Sequence, residues 1–96
     1  MKTVYLAVCE SMSWGRGHSA WEAIANALAI FGLESAVDLY KLEVPDGGNY
    51  DDCFVDKDGA MMAPKGTKLT ELGTNKVIIS EKFLAFKKEV ESCYEN

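Results

Sequence analysis

The sequence predicts an α+β fold: a two-layer sandwich in which a mostly antiparallel sheet of four to five strands carries two helices on one face. Three observations predict it. Residues 3–9 alternate at period two, with Val4, Leu6 and Val8 on one side and Tyr5, Ala7 and Cys9 on the other. From Ser19 the apolar residues switch to helical spacing, and a second such stripe closes the chain. Between the stripes lie short β-branched and apolar runs, broken by Gly, Pro, Asn and Asp. The expected order is β-α-β-β-β-α, a ferredoxin-like variant in one domain, 1–96. In its first β-α-β unit the two strands run parallel, with a later strand able to lie between them.

Each element has a local cause. Residues 3–9 are apolar on both sides, as in a central strand with both faces at least partly covered. A polar exit, residues 10–13, leads to a tight turn built on Gly15 and Gly17. Ser19-Ala20-Trp21-Glu22 is a capping box: the hydroxyl takes a first-turn N–H and the carboxylate reaches back. Ala20, Ile24, Ala27, Leu28 and Phe31 form the buried stripe, Gly32 supplies the left-handed position past the helix end, and Leu33 its apolar contact. Residues 35–44 form the next strand, stopped by Pro45, and Asp46-Gly47-Gly48-Asn49 is a loop. Phe54-Val55 and Ala60-Met61-Met62 flank Asp56-Lys57-Asp58-Gly59, a type I turn closed by a glycine bulge. Met61 and Met62 are read as core gap-fillers. Residues 64–67 form a loop, Thr74-Asn75 a turn, and residues 76–79 a strand. Ser80 caps a last helix from Glu81 to about Tyr94, with Phe83, Phe86, Val90 and Cys93 on one face.

Charge narrows the function. The net charge is −5 over 96 residues, unevenly spread. Residues 1–32 balance; residues 33–62 hold eight acids against Lys41 and Lys57; residues 63–96 hold six Lys against five Glu. An acidic centre argues against duplex nucleic acid, whose phosphates need clustered Lys and Arg, and suits a basic protein partner. Three widely spaced cysteines and a lone histidine support neither a disulfide framework nor a zinc site. The expectation is therefore no metal and no cofactor, with the thiols acting as small buried hydrophobes. The N-terminal apolar run is too short for a secretory signal, and residues 20–33 are interrupted by Glu22, Asn26 and Gly32, so no membrane span and a cytoplasmic location are expected.

The chemistry-bearing residues crowd into Trp14-Gly15-Arg16-Gly17-His18-Ser19. Residues 15–20 formally fit G-x-G-x-x-A, but five residues separate the strand from the first Gly, and the chain is too short for a dinucleotide-binding domain. A looser reading keeps an anion or nucleotide at the helix start, with Arg16 and His18 in contact and Trp14 stacked. The plain alternative is that the glycines only permit a turn. The acidic loop adds Asp51, Asp52, Asp56 and Asp58 to the candidate binding surface. A calcium loop with Gly59 at its sixth position would begin at Phe54 and end at Lys65, neither a ligand. A Cys9–His18 pair lacks anything to orient the imidazole, and Asp51 and Asp52 sit in a solvated loop, so no catalytic set is expected.

The stretch Gly15-x-Gly17-x-Ser19-x-x-Glu22-Ala23-Ile24-x-Asn26-Ala27 resembles the G-x-[ST]-x-x-E-A-x-x-N-A segment of HicB-like antitoxins. That resemblance implies a helix packed on a sheet and the neutralisation of a small RNA-cleaving toxin by binding. In overall character the chain also resembles short phage-encoded inhibitors of host defence, such as anti-CRISPR proteins, which occlude a protein partner or sequester a nucleotide signal. The leading expectation is thus a non-enzymatic phage or mobile-element inhibitor that occludes a host protein. The alternatives are a nucleotide or anion binder at residues 15–19, in which a homo-oligomer would deepen the pocket, and a HicB-like antitoxin.

Overall fold

The first strand, β1 (Lys2–Cys9), is followed by β2 (Trp14–Gly17), and the two pair antiparallel from Tyr5 opposite Gly17 to Val8 opposite Trp14. This computed structural model describes residues 1–9, 13–28, 34–78, 82, 84–86, 88 and 89. The glycine-rich segment expected as a turn is therefore a strand. The reversal lies earlier, where Cys9 N–H donates to the Ser13 carbonyl at 2.8 Å. Two strands, not one, precede the helix.

Helix α1 (Ala20–Ala27) starts as its sequence requires, with Ser19 Oγ accepting from Glu22 N–H at 3.2 Å. It ends earlier than the apolar stripe suggested: Leu28 is already extended, although its N–H still donates to the Ile24 carbonyl. The expected terminator at Phe31, Gly32 and Leu33 lies outside the described residues.

β3 (Glu34–Val44) pairs antiparallel with β1 along eight positions, from Lys2 opposite Val44 to Cys9 opposite Val37. Beyond it come a 3-10 turn (Tyr50–Asp52), a hairpin of β4 (Phe54–Val55) with β5 (Met61–Met62), and the edge strand β6 (Lys68–Ile78). The main sheet runs β2-β1-β3-β6, all antiparallel. The strands joined through α1 are β2 and β3, parallel to each other because both oppose β1, which lies between them. The expected parallel pair of first strand and post-helix strand is replaced by direct antiparallel pairing. The observed order thus differs from β-α-β-β-β-α, while the α+β class, the antiparallel sheet and the two helices stand.

Thr74 and Asn75 lie within β6 and are not a turn. Leu39 faces Gly73 whereas Tyr40 faces Glu71, leaving Leu72 as an extra residue in a bulge. Gly73 at φ +87° absorbs the kink, so the strand bends and continues. The β4–β5 turn forms as expected: Asp56 N–H donates to Ala60 O, Gly59 N–H donates to Asp56 O, and Gly59 takes φ +83°. Asp56 Oδ1 accepts from Asp58 N–H at 2.9 Å and Ala60 N–H at 2.8 Å.

The sheet is covered on both sides, as the doubly apolar β1 required. On one face Ala7, Cys9, Val37 and Leu39 lie under Ala23, Ile24, Ala25, Ala27 and Leu28 of the helical layer. Phe86, within the helical residues 82, 84–86, 88 and 89, packs on the same cluster, so both helices share this face. Ile79, Ser80, Glu81, Phe83, Val90, Cys93 and Tyr94 lie outside the described residues. On the opposite face Val4, Leu6, Leu42 and Val44 pack with Cys53, flanked by Trp14, Tyr40, Tyr50 and Met61. The 3-10 turn and hairpin thus form a cover that a two-layer reading omits. Met61 fills this second core, whereas Met62 is 42% exposed and does not.

Candidate functional site

The pleat of β2 sorts its four residues. Gly15 and Gly17 pair with Ala7 and Tyr5 and face α1; Trp14 and Arg16 pair with Val8 and Leu6 and face the 3-10 turn. A Cβ on Gly15 would collide with the backbone nitrogen of Ala27, and one on Gly17 would stand 2.5 Å from Ala23 N. The glycines therefore let the helix backbone press onto β2, a role different from the tight turn expected. Asn26 Nδ2 fastens the contact by donating to the Arg16 carbonyl at 2.8 Å.

Arg16 crosses to the opposite face and is consumed there. Its Nη1 donates to Cys53 O at 2.8 Å and to Asp51 O at 3.3 Å, while Nη2 lies 3.4 Å from Asp51 Oδ1. Its guanidinium carbon stands 4.7 Å from the Tyr50 ring centre and 5.7 Å from that of Trp14. His18 stacks on Tyr50 at 4.4 Å between centroids with the planes 21° apart. Trp14, Arg16, Tyr50 and His18 form one continuous group that bolts the acidic loop to the edge strand. Tyr50 was not among the candidate residues; its only signal was an aromatic set between Asn49 and Asp51 in a polar loop.

The expected convergence of Arg16, His18 and the helix start on one anion does not form. Arg16 lies across the sheet from α1, and Ser19 Oγ is occupied by its cap bond. The acidic residues do come to this side of the molecule. Asp51 pairs with Arg16, Asp56 organises the hairpin turn, and Asp52 and Asp58 are exposed. Cys9 is buried under α1, its thiol donating to Ala27 O at 3.4 Å, so no Cys9–His18 pair is assembled.

Two clefts flank the group. One, of about 380 Å³, is lined by Val8, Trp14, Val55, Asp56, Lys57 and Gly59. The other, of about 260 Å³, is lined by Lys2, Thr3, Val4, His18 and Tyr50. Beside the first, Phe54 and Met62 face each other across the hairpin's outer side and are 36% and 42% exposed. The Cys53 thiol has its pKa raised by burial, the Arg16 charge opposing and Asp52 adding to the rise. Tyr40 is also raised, by burial first and then by Asp38 and Glu71.

Among the described residues no three His, Cys, Asp or Glu side chains gather as a metal would need, and no helix is long and apolar enough to cross a membrane. No protein family, curated protein or solved structure matches the chain, so its functional reading rests on its own residues.

Proposed function

We propose that this chain is a non-enzymatic binding protein that occludes a basic protein partner, using the face built by the 3-10 turn and the hairpin. One observation carries the reading. A cleft walled by Trp14, Val55, Asp56 and Lys57 opens on the hairpin whose turn carries the exposed Asp58 and whose strands carry the exposed apolar pair Phe54 and Met62. A Lys or Arg of a partner can lay its aliphatic stem on the indole and its charge among the acids. Exposed carboxylates raise the association rate and make it salt-dependent, and the apolar pair supplies the desolvated centre. Occlusion of a partner is one way in which small phage-encoded inhibitors act, and a small RNA-cleaving toxin is the special case that the antitoxin resemblance implies.

The test is affinity capture with the intact chain and with D52K/D58K, at low and raised salt. The expected result is a basic partner retained by the intact chain at low salt, weakened by salt and lost with the double variant. Undiminished capture by D52K/D58K overturns the acidic surface as the recognition element.

A second reading, a small anionic aromatic ligand such as a nucleotide, is favoured by the 260 Å³ cleft, where Lys2 and Thr3 stand beside the stacked His18 and Tyr50. On this reading the ligand would lie beside His18 and away from residues 15–17. A nucleotide present at about 100 times its dissociation constant would add about 2.7 kcal/mol to folding stability in a thermal-shift panel. No shift with any nucleotide removes this reading.

A further inference from the structure

Among the described residues, the edge strand β6 is the least covered element. It runs eleven residues at the sheet edge, and β3 is the only described element with extensive contact to it. Residues 68–74 are all exposed, including Leu69 at 49% and Leu72 at 43%. An edge this long presents a row of free backbone donors and acceptors, which natural sheets normally shorten, cover or guard with like charges. Here the exposed charges of the strand are mixed: Lys68, Glu71 and Lys76.

The bulge decides what those charges match. Glu71 stands opposite Tyr40 and Lys76 opposite Ala36. Tyr40 and Ala36 are four residues apart on β3 and so share a face. Glu71 and Lys76, five apart, would fall on opposite faces of a regular strand; the extra residue Leu72 returns them to the same one. An antiparallel copy of β6 with Glu71 opposite Lys76 then places Lys76 opposite Glu71 as well. Both cross-strand pairs are of opposite charge and on one face. Thr74, opposite Asp38, lies midway between the two charges on the same face, so the two-fold axis passes between Thr74 and its own copy, with one Glu71–Lys76 pair on either side.

We propose that β6 is a self-association edge, through which two copies of this chain join their sheets antiparallel with reciprocal Glu71–Lys76 pairs. The interface is isologous, as closed two-fold dimers require, and it uses both charges of the strand's exposed centre. It leaves the hairpin face free, so it is independent of the partner reading above.

Sedimentation velocity of the intact chain, E71K, K76E, their equimolar mixture and E71K/K76E tests it, with circular dichroism confirming that each variant is folded. The intact chain is expected to dimerise. Each single variant sets two like-charge pairs in place of two attractive ones and should raise the dimer Kd by about tenfold or more. The mixture should recover dimers, because a chain carrying E71K brings two lysines to the interface and a chain carrying K76E brings two glutamates, so both pairs are again of opposite charge. The double variant, with the two charges exchanged, should dimerise alone. A monomeric intact chain overturns the proposal. So does a dimer indifferent to E71K, or a mixture no more dimeric than its components.

Discussion

Arg16 Nη1 and the carbonyl oxygen of Cys53 are 2.8 Å apart, and this bond joins an edge strand to a segment that belongs to no strand of the main sheet. Cys53 is fully buried, and its carbonyl takes a charged donor from β2. The same guanidinium lies against Tyr50, which in turn carries His18. A side chain that looked available for a ligand is instead the fastening of the second core. The proposed binding surface lies around it, on Trp14, the hairpin and the acidic turn.

Removing that fastening should loosen the cover without unfolding the helix face. R16A is expected to lower stability by about 2 kcal/mol, since a charge-assisted bond to a buried carbonyl is lost. The ion pair to Asp51 adds little, because that carboxylate is 86% exposed. R16K should recover only a fraction, as an ammonium cannot reproduce the planar fork. Urea unfolding of the three proteins measures this, and equal stability of R16A and the intact chain would contradict it.

The close approach of α1 to β2 predicts a sharp difference among glycines. G15A and G17A push a methyl into helix backbone and should each destabilise by about 3 kcal/mol or more. G47A meets nothing within 4 Å and is strained only by its φ of +93°, so about 1 kcal/mol is expected. Similar losses at all three positions would rule out the packing role.

The helix cap is separable from both. S19A should cost about 1 kcal/mol and S19D little, since aspartate also accepts from the first-turn N–H. Thermal denaturation distinguishes them; an S19D loss matching that of S19A would show that the hydroxyl is not acting as a cap.

Alkaline pH should act through the second core. Burial raises the Cys53 pKa above its ordinary 9.0, and burial with Asp38 and Glu71 raises Tyr40 above 10.0. Both folded-state values lie above the unfolded ones, so the folded protein holds these protons more tightly. Their contribution is complete below the unfolded pKa and lost as pH rises through the folded one. Stability is therefore expected to be flat up to about pH 9 and to fall above it, with C53A flattening the first part of the decline. Denaturation midpoints across that range check the sign; a midpoint that rises above pH 9 reverses it.

Local grammar was legible wherever one short segment determined the outcome. Ser19 and Glu22 announced the helix start, Pro45 ended β3, and Asp56 with Gly59 specified the hairpin turn. The apolar residues on both sides of β1 already required two covered faces. Glycine was ambiguous, because its missing side chain serves a turn, a bulge or a close contact equally well. Gly15 and Gly17 proved to be contacts and Gly73 a bulge.

The sequence by itself determined an α+β chain with a capped helix, a doubly apolar strand and an acidic central segment. Tertiary structure alone decided that β2 is a strand, that Arg16 and Tyr50 meet across 34 residues, and that Glu71 and Lys76 share a face. The physical reason is range. Caps and turns are settled by neighbours within a few residues, whereas strand pairing and side-chain partnership depend on which distant segment arrives opposite, which no local spacing encodes.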